Sequence, residues 1–311
     1  MRFSTGLPGL TRYPPSVRDW ERTMTPAAFQ RVARTADELG FDSVSIPEHF
    51  LVPTQAAEVM GGFWPHALTA MAFVAGATSR LVVDSSVIVL PLHDPIALAK
   101  AVSTLDLLSG GRVRVSIGVG NLEREFKTVR VPFHQRGRIA DEYLAAMVEL
   151  WTSENPVFHG KHVDFEGVVF EPRPVQIPHP PIWVGGNSPA AMRRAARHDG
   201  WFPNGLNPTQ LAEGLDYLRS QPEFASRTRP FDLMQSVNAL VLTADHRLVG
   251  DANRSAGKPL NAQVVIDAIE ELRASGVTWT SVPIPWADSL DEHIEGLQWI
   301  AEEIMPRVRT D

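Results

Sequence analysis

The segment best suited to hold an anion is Gly185-Gly186-Asn187-Ser188-Pro189. It follows the apolar run Ile182-Trp183-Val184 and precedes an Ala/Arg-rich stretch from Ala190 to Arg197. The pattern predicts strand, turn and helix. Pro189 fits the first helical position, where its missing N–H has no partner to lose. Ser188 then stands at the N-cap. The two glycines permit a sharp turn and leave backbone N–H groups uncovered, and free N–H groups at a helix start suit phosphate. A well-capped turn with no ligand has the same signature, so other segments must decide.

Three further stretches carry groups with chemistry. Pro47-Glu48-His49-Phe50 offers a carboxylate and an imidazole for proton transfer, or for holding the polar edge of a ring. Glu48 is a candidate to orient His49, although neighbours on an extended chain point to opposite sides. Asp84-Ser85-Ser86 interrupts an apolar run. Small hydroxyl groups buried there need partners, and they let a flat ring come close; the other reading is a bulge satisfied by backbone. Ser116-Ile117-Gly118-Val119-Gly120-Asn121 ends a strand candidate in glycines, a sign that something lies against the backbone. Its G-x-G is too short to be a dinucleotide fingerprint. His93 and Asp94 read as no more than a helix start.

The elements that position these groups alternate along the chain. Strands are predicted at Phe3–Thr5, Ser43–Ile46, Leu81–Leu90, Val113–Val119, Ile182–Val184, Trp201-Phe202, Leu233–Leu242 and Thr278–Val282. Leu81–Leu90 reads as one long buried strand. Helices are predicted at Thr25–Leu39, Pro65–Ala77, Asp94–Ser109, Ile139–Thr152, Pro189–Arg197, Pro208–Ser220, Ala262–Ser275 and Ser289–Met305, many entered through a proline. Residues 153–181 break the rhythm, with a hairpin expected around Glu166-Gly167. Eight βα units in 311 residues, with no long linker, imply one (β/α)8 TIM-barrel domain over 1–311 with an insertion before the fifth strand. A doubly wound sheet would carry its glycine turn after the first strand, but Thr5-Gly6-Leu7-Pro8-Gly9 leads into a proline-rich loop. In a barrel, function belongs at the C-terminal strand ends, where the stretches at Pro47–Phe50, Gly118–Asn121 and Gly185–Pro189 fall, while Asp84-Ser85-Ser86 sits inside its strand.

Composition removes several classes. A formal charge of -7 argues against nucleic acid and anionic membranes as partners. With no cysteine there are no disulfides, thiol nucleophiles or thiolate metal sites. The ten histidines include no ligand-spaced pair at a strand end, so no metal is expected. The only lysines are Lys100, Lys127, Lys161 and Lys258, none at a predicted strand end, which disfavours Schiff-base aldolase chemistry. Neither a secretory leader nor a transmembrane run is evident, so a soluble cytoplasmic protein is expected.

Several motifs, taken in order, resemble the bacterial luciferase-like monooxygenase superfamily, in particular its branch of oxidoreductases dependent on the deazaflavin coenzyme F420. They are Val89-Leu90-Pro91 with Asp94-Pro95, Leu105 through Arg112, Arg136-Gly137-Arg138 with Asp141-Glu142-Tyr143, Phe158-His159-Gly160-Lys161, Phe165-Glu166-Gly167, and Pro181 through Gly186. The resemblance covers nearly the whole chain. It implies a flavin-type ring at the barrel mouth, against Ser86 and Val87 and against Gly118, Gly120 and Asn121. It implies a cofactor phosphate on Gly185, Gly186, Asn187 and Ser188, and places His49 near the reactive ring carbon. Relatives bend the third strand beneath the ring, several through a non-proline cis peptide, and Ser86–Val87 is the matching bond. Some sugar-phosphate-oxidising relatives carry a carboxylate where Asn121 stands, so their proton relay does not transfer intact. The function implied is hydride transfer between F420 and a small organic substrate, in a homodimer. The alternatives are an FMN-dependent monooxygenase using oxygen and a flavin reductase partner, and a non-catalytic flavin-binding protein. Leu51–Trp64, with Met60, Phe63 and Trp64, is expected to be a lid or pocket wall. Trp279 and Trp286 are read either as pocket walls or as buried anchors.

Overall fold

The computed structural model describes residues 1–14, 16–237, 261–284 and 287–309. Nine parallel strands close into a barrel: β1 (Arg2–Thr5), β2 (Ser43–Ile46), β3 (Val82–Ser85), β4 (Ile88–Val89), β5 (Val113–Gly118), β8 (Ile182–Gly185), β9 (Gly200–Phe202), β10 (Asp232–Leu233) and β11 (Trp279–Thr280). They fill eight positions, because β3 and β4 both pair with β5 as two halves of one strand. The ring is completed between β10 and β11, where Thr278 N–H donates to Leu233 O at 2.9 Å and Met234 bridges Trp279. The antiparallel pair β6 (Phe158–His159) and β7 (Asp164–Phe165) lies in the insertion before β8. This is the TIM barrel that the alternation of elements predicts. The end of the Leu233–Leu242 strand, Lys258 and Trp286 lie outside the described residues.

The strands form where β-branched residues can be buried on both faces. All six residues of β5 are buried, as expected for a parallel strand covered by helices. The helices start where their sequences say. Thr25, Asp94 and Ser188 each accept an N–H from the first turn of α1 (Pro26–Glu38), α4 (Pro95–Ser109) and α7 (Pro189–Ala196), with proline at the start of all three. Between α1 and α4 lie α2 (Thr54–Met60) and α3 (Ala67–Ala75), and after α4 come α5 (Glu123–Thr128) and α6 (Arg136–Thr152).

Several charged residues of the family-like motifs serve as clamps for loop backbone. Asp106 accepts from Val175 N–H at 2.8 Å and Gln176 N–H at 3.0 Å, pinning the insertion against α4. Arg112 donates to Ala75 O, Thr78 O and Leu81 O. Asp141 holds the buried Arg194 at 2.8 Å. The floor of the barrel is also polar. Arg114 is 3% exposed, pairs with Asp84 at 2.8 Å and lies between the rings of Trp183 and Trp279, at 3.5 and 4.1 Å. Trp279 is therefore a buried anchor and not a wall of the mouth.

Two expectations need correction. Leu81–Leu90 is not one continuous strand. From Asp84↔Arg114 to Ile88↔Ile117 the strand advances four residues while β5 advances three, a one-residue bulge. The Ser85 hydroxyl fills the broken ladder, donating to Ser116 O at 2.8 Å and accepting from Ser116 N–H at 2.9 Å. The hairpin of the insertion turns at 160–163, where Gly160 N–H donates to Val163 O, and not around Glu166-Gly167. The Glu142 carboxylate fixes that turn by accepting from His162 N–H and Val163 N–H. Gly167 does take a positive φ of 64°, but beyond the hairpin.

Candidate active site

The bulge of the third strand faces the C-terminal mouth, and the Ser86–Val87 peptide is cis, at the bond the family resemblance implied. Ser86 N–H donates to Ile46 O at 2.8 Å, which ties the bulge to the end of β2. Val87 projects toward the ends of β5 and β8. A Cβ built on Gly118 would meet Val87 Cγ2 at 2.7 Å, and one built on Gly185 would meet Val87 Cγ1 at 3.0 Å. Val87 thus leaves no room for a side chain at Gly118 and only a tight fit for one at Gly185. Gly120 is required twice over, by its φ of 76° and by Phe126 and Val89, which a Cβ would meet at 2.6 and 2.7 Å.

A cavity of about 430 Å³ opens on this floor. Of the residues expected at the site, Glu48, His49, Ser86, Val87, Gly118, Gly120, Asn121, Gly185 and Gly186 line it. Asn187 and Ser188 lie just beyond, at the start of α7. Trp64, from the loop expected as a lid, forms one wall and meets His49 edge to face, with ring centroids 4.8 Å apart. The loop is held from outside by Arg12, which stacks on Phe63 at 3.9 Å. Phe202 at the end of β9, with Pro203 and Asn204 after it, also lines the cavity, and the sequence offered no reason to select these three.

The segment following β2 is anchored on both sides. Glu48 does not pair with His49. Its carboxylate accepts from Ala67 N–H at 3.2 Å and Val89 N–H at 3.3 Å, and meets His93 Nε2 at 2.6 Å. His93 is therefore more than a helix start. His49 turns the other way, with Nδ1 3.1 Å from Glu125 Oε2. The second oxygen of Glu125 accepts from Phe50 N–H at 2.7 Å and Leu51 N–H at 3.0 Å. Burial opposes ionisation of Glu125, but the hydrogen bonds from His49 and the two backbone N–H groups outweigh it and hold the carboxyl below its ordinary range. Glu125 was missed in the sequence because it sits 75 residues from the loop it binds, with no local pattern to mark it.

The glycine turn has the form expected of an anion site. Gly186 adopts a φ of 112°, open to glycine alone, and its carbonyl accepts from Trp201 Nε1 at 2.8 Å. Asn187 and Asn204 exchange two hydrogen bonds, at 2.7 and 2.8 Å, which lock the turn to the loop after β9. Among the described residues the backbone N–H groups of Asn187 and Ser188 find no hydrogen-bond partner. Arg193 and Arg194 are both engaged elsewhere, on Tyr217 and Asp141. Among the described residues no cluster could hold a metal ion, and no helix is long and apolar enough to cross a membrane.

The barrel mouth thus joins a bulged third strand to a glycine turn at the start of α7. The chain belongs to the luciferase-like monooxygenase family, whose model matches residues 4–276. It is 32% identical over 173 residues to an FMNH2-dependent dimethylsulfone monooxygenase of Pseudomonas putida, a match covering 54% of this chain and 46% of that protein. The fold is shared with the monooxygenase RslO1 from Streptomyces bottropensis, with a TM-score of 0.77, 24% identity, and 99% and 100% of the two chains covered. It is also shared with the coenzyme F420-dependent tetrahydromethanopterin reductase of Methanopyrus kandleri, at a TM-score of 0.71, 17% identity and 99% of both chains. The chain is thus a luciferase-like monooxygenase family barrel, and the proteins it resembles include one described as FMNH2-dependent and one as F420-dependent.

Proposed function

We propose that this protein transfers a hydride between coenzyme F420 and a small organic substrate, with the cofactor ring over Val87. The observation that carries this reading is one cavity holding both an apolar ring support, Val87 between two glycines, and an imidazole fixed by a buried carboxylate. The residues fit such a group: the free N–H groups of Asn187 and Ser188 suit its phosphate, and the glycine-lined floor suits a flat ring. When bound, oxidised F420 supplies a ring carbon that accepts a hydride, and reduced F420 returns it.

The chain's own residues do the rest. Val87 and the backbone from Gly118 to Asn121 support the ring face. His49 takes up or gives the proton of the substrate hydroxyl or carbonyl. Trp64 closes the wall beside His49 and excludes water. Glu48, with three donors on its carboxylate, fixes the loop that carries His49 and does not itself carry protons. Assembly as a homodimer would cover exposed apolar residues beside α4, such as Leu108, Val169 and Ile177, which are 79%, 86% and 86% exposed.

A second reading, FMN-dependent monooxygenation with oxygen and a flavin reductase partner, is favoured by the activity of the Pseudomonas relative. Turnover decides between them. Purified protein is given alcohols with F420 and carbonyl compounds with reduced F420, without oxygen, beside reduced FMN with oxygen. Substrate-dependent change in deazaflavin absorbance supports the first reading. Product formed only with reduced FMN and oxygen replaces it with the second.

A further inference from the structure

Glu125 lies outside every motif discussed for the cofactor, yet it is the group that touches His49. Its side chain is 1% exposed, that of His49 13%. Its two oxygens are divided between tasks: Oε1 accepts from Phe50 and Leu51 N–H, and Oε2 faces His49 Nδ1 at 3.1 Å. An ionised carboxylate only accepts hydrogen bonds. The nitrogen facing it must therefore carry a proton. The other ring nitrogen, Nε2, finds no hydrogen-bond partner among the described residues, and His49 lines the cavity.

We infer that Glu125 is a positioning residue that fixes His49 as the Nδ1–H tautomer, so that Nε2 is the nitrogen that exchanges a proton with substrate. Hydride removal from an alcohol requires that its hydroxyl proton leave as the C–H bond gives up its electron pair. A neutral imidazole with its lone pair on Nε2 can take that proton directly, and the same ring as imidazolium returns it in the reverse direction. The anion at Nδ1 stabilises the imidazolium formed in between. Glu125 also sets the ring's orientation, because the same carboxylate holds the backbone of the two residues that follow His49. The proton-transfer role rests on the proposed function; the tautomer does not.

The test is nitrogen NMR of the histidine rings in the cofactor-free protein at a pH where His49 is neutral, assigned by comparison with His49→Ala. The wild-type ring is expected to carry its proton on Nδ1, with Nε2 bare. In Glu125→Gln the amide oxygen can keep Phe50 and Leu51 N–H, which turns the amide NH2 toward Nδ1. Nδ1 must then accept, and the proton moves to Nε2. Glu125→Asp, which keeps the charge, retains the wild-type tautomer. In turnover, Glu125→Gln lowers kcat by roughly 10²-fold or more, within the usual span of general acid–base catalysis, while KM changes little. A wild-type proton on Nε2, or an unchanged tautomer in folded Glu125→Gln, overturns the inference. The wild-type spectrum decides by itself if the variant does not fold. Tautomer inversion in a protein that turns over neither F420 nor FMN supports the inference and removes the proposed function.

Discussion

Val87 is held by two glycines, and that packing can be tested by adding one methyl group. Gly118 is buried and its φ is not positive, so alanine is acceptable to the backbone. The new Cβ would nevertheless lie 2.7 Å from Val87 Cγ2, closer than carbon atoms approach. Either the bulge or β5 must move. Overpacking of this kind costs roughly 1–3 kcal/mol. Val87→Ala removes the clashing Cγ2 methyl along with Cγ1 and alone costs about 1 kcal/mol, since Val87 is only partly buried. In the double variant the space is restored, so its unfolding free energy should exceed the sum of the single effects by about 1–2 kcal/mol. Denaturant unfolding of the four proteins gives this coupling directly. Cofactor titration should show weaker binding in Gly118→Ala, because the ring support is displaced. Additive single effects, or a Gly118→Ala protein as stable as wild type, would refute the claim that these glycines exist to seat Val87.

His49→Ala should lower turnover by roughly 10²–10⁴-fold and leave cofactor affinity nearly unchanged, which steady-state rates beside a binding titration will separate. Asn187→Ala breaks both hydrogen bonds to Asn204 at an exposed turn and should weaken cofactor binding by about 1 kcal/mol, roughly fivefold, with little change in melting temperature. It is a cleaner probe than Gly186→Val, because a φ of 112° strains any side chain at Gly186 whether or not an anion binds. Burial, reinforced by Arg197 and other nearby cations, pushes His198 down to about 3 from an ordinary 6.5. The unfolded chain therefore binds the extra proton, and stability should fall as pH drops from about 6.5 toward about 3. Urea unfolding of His198→Gln across this range should lack that part of the slope; an identical slope removes the assignment.

The barrel was legible because its evidence is local. Prolines at Pro26, Pro95 and Pro189 each mark a true helix start, and the strand at Ser43–Ile46 has the expected bounds. The glycines of the mouth were legible as crowded positions, but their neighbour is a side chain of the same protein. A bulge was one reading of the hydroxyl residues Asp84-Ser85-Ser86, but only the family resemblance placed it at Ser86–Val87, since the apolar run from Leu81 to Leu90 by itself reads as a continuous strand. The partners of the ionisable residues were not legible. Glu48 and His49 are adjacent in sequence, yet one meets His93 and the other Glu125. Alternation along the chain sends them apart, and what they meet is set by how the loops after β4 and β5 fold back, which no short-range pattern encodes.

The central claim is that the cavity above Val87 binds a deazaflavin ring. Equilibrium titration of the cofactor-free protein with oxidised F420 and with FMN, under identical conditions and each in competition with the other, tests it most directly. The account predicts saturable binding of F420 that is weakened by Gly118→Ala and Asn187→Ala, with FMN failing to displace it at comparable concentration. Preferential binding of FMN would contradict the choice of cofactor, and binding of neither would contradict the site.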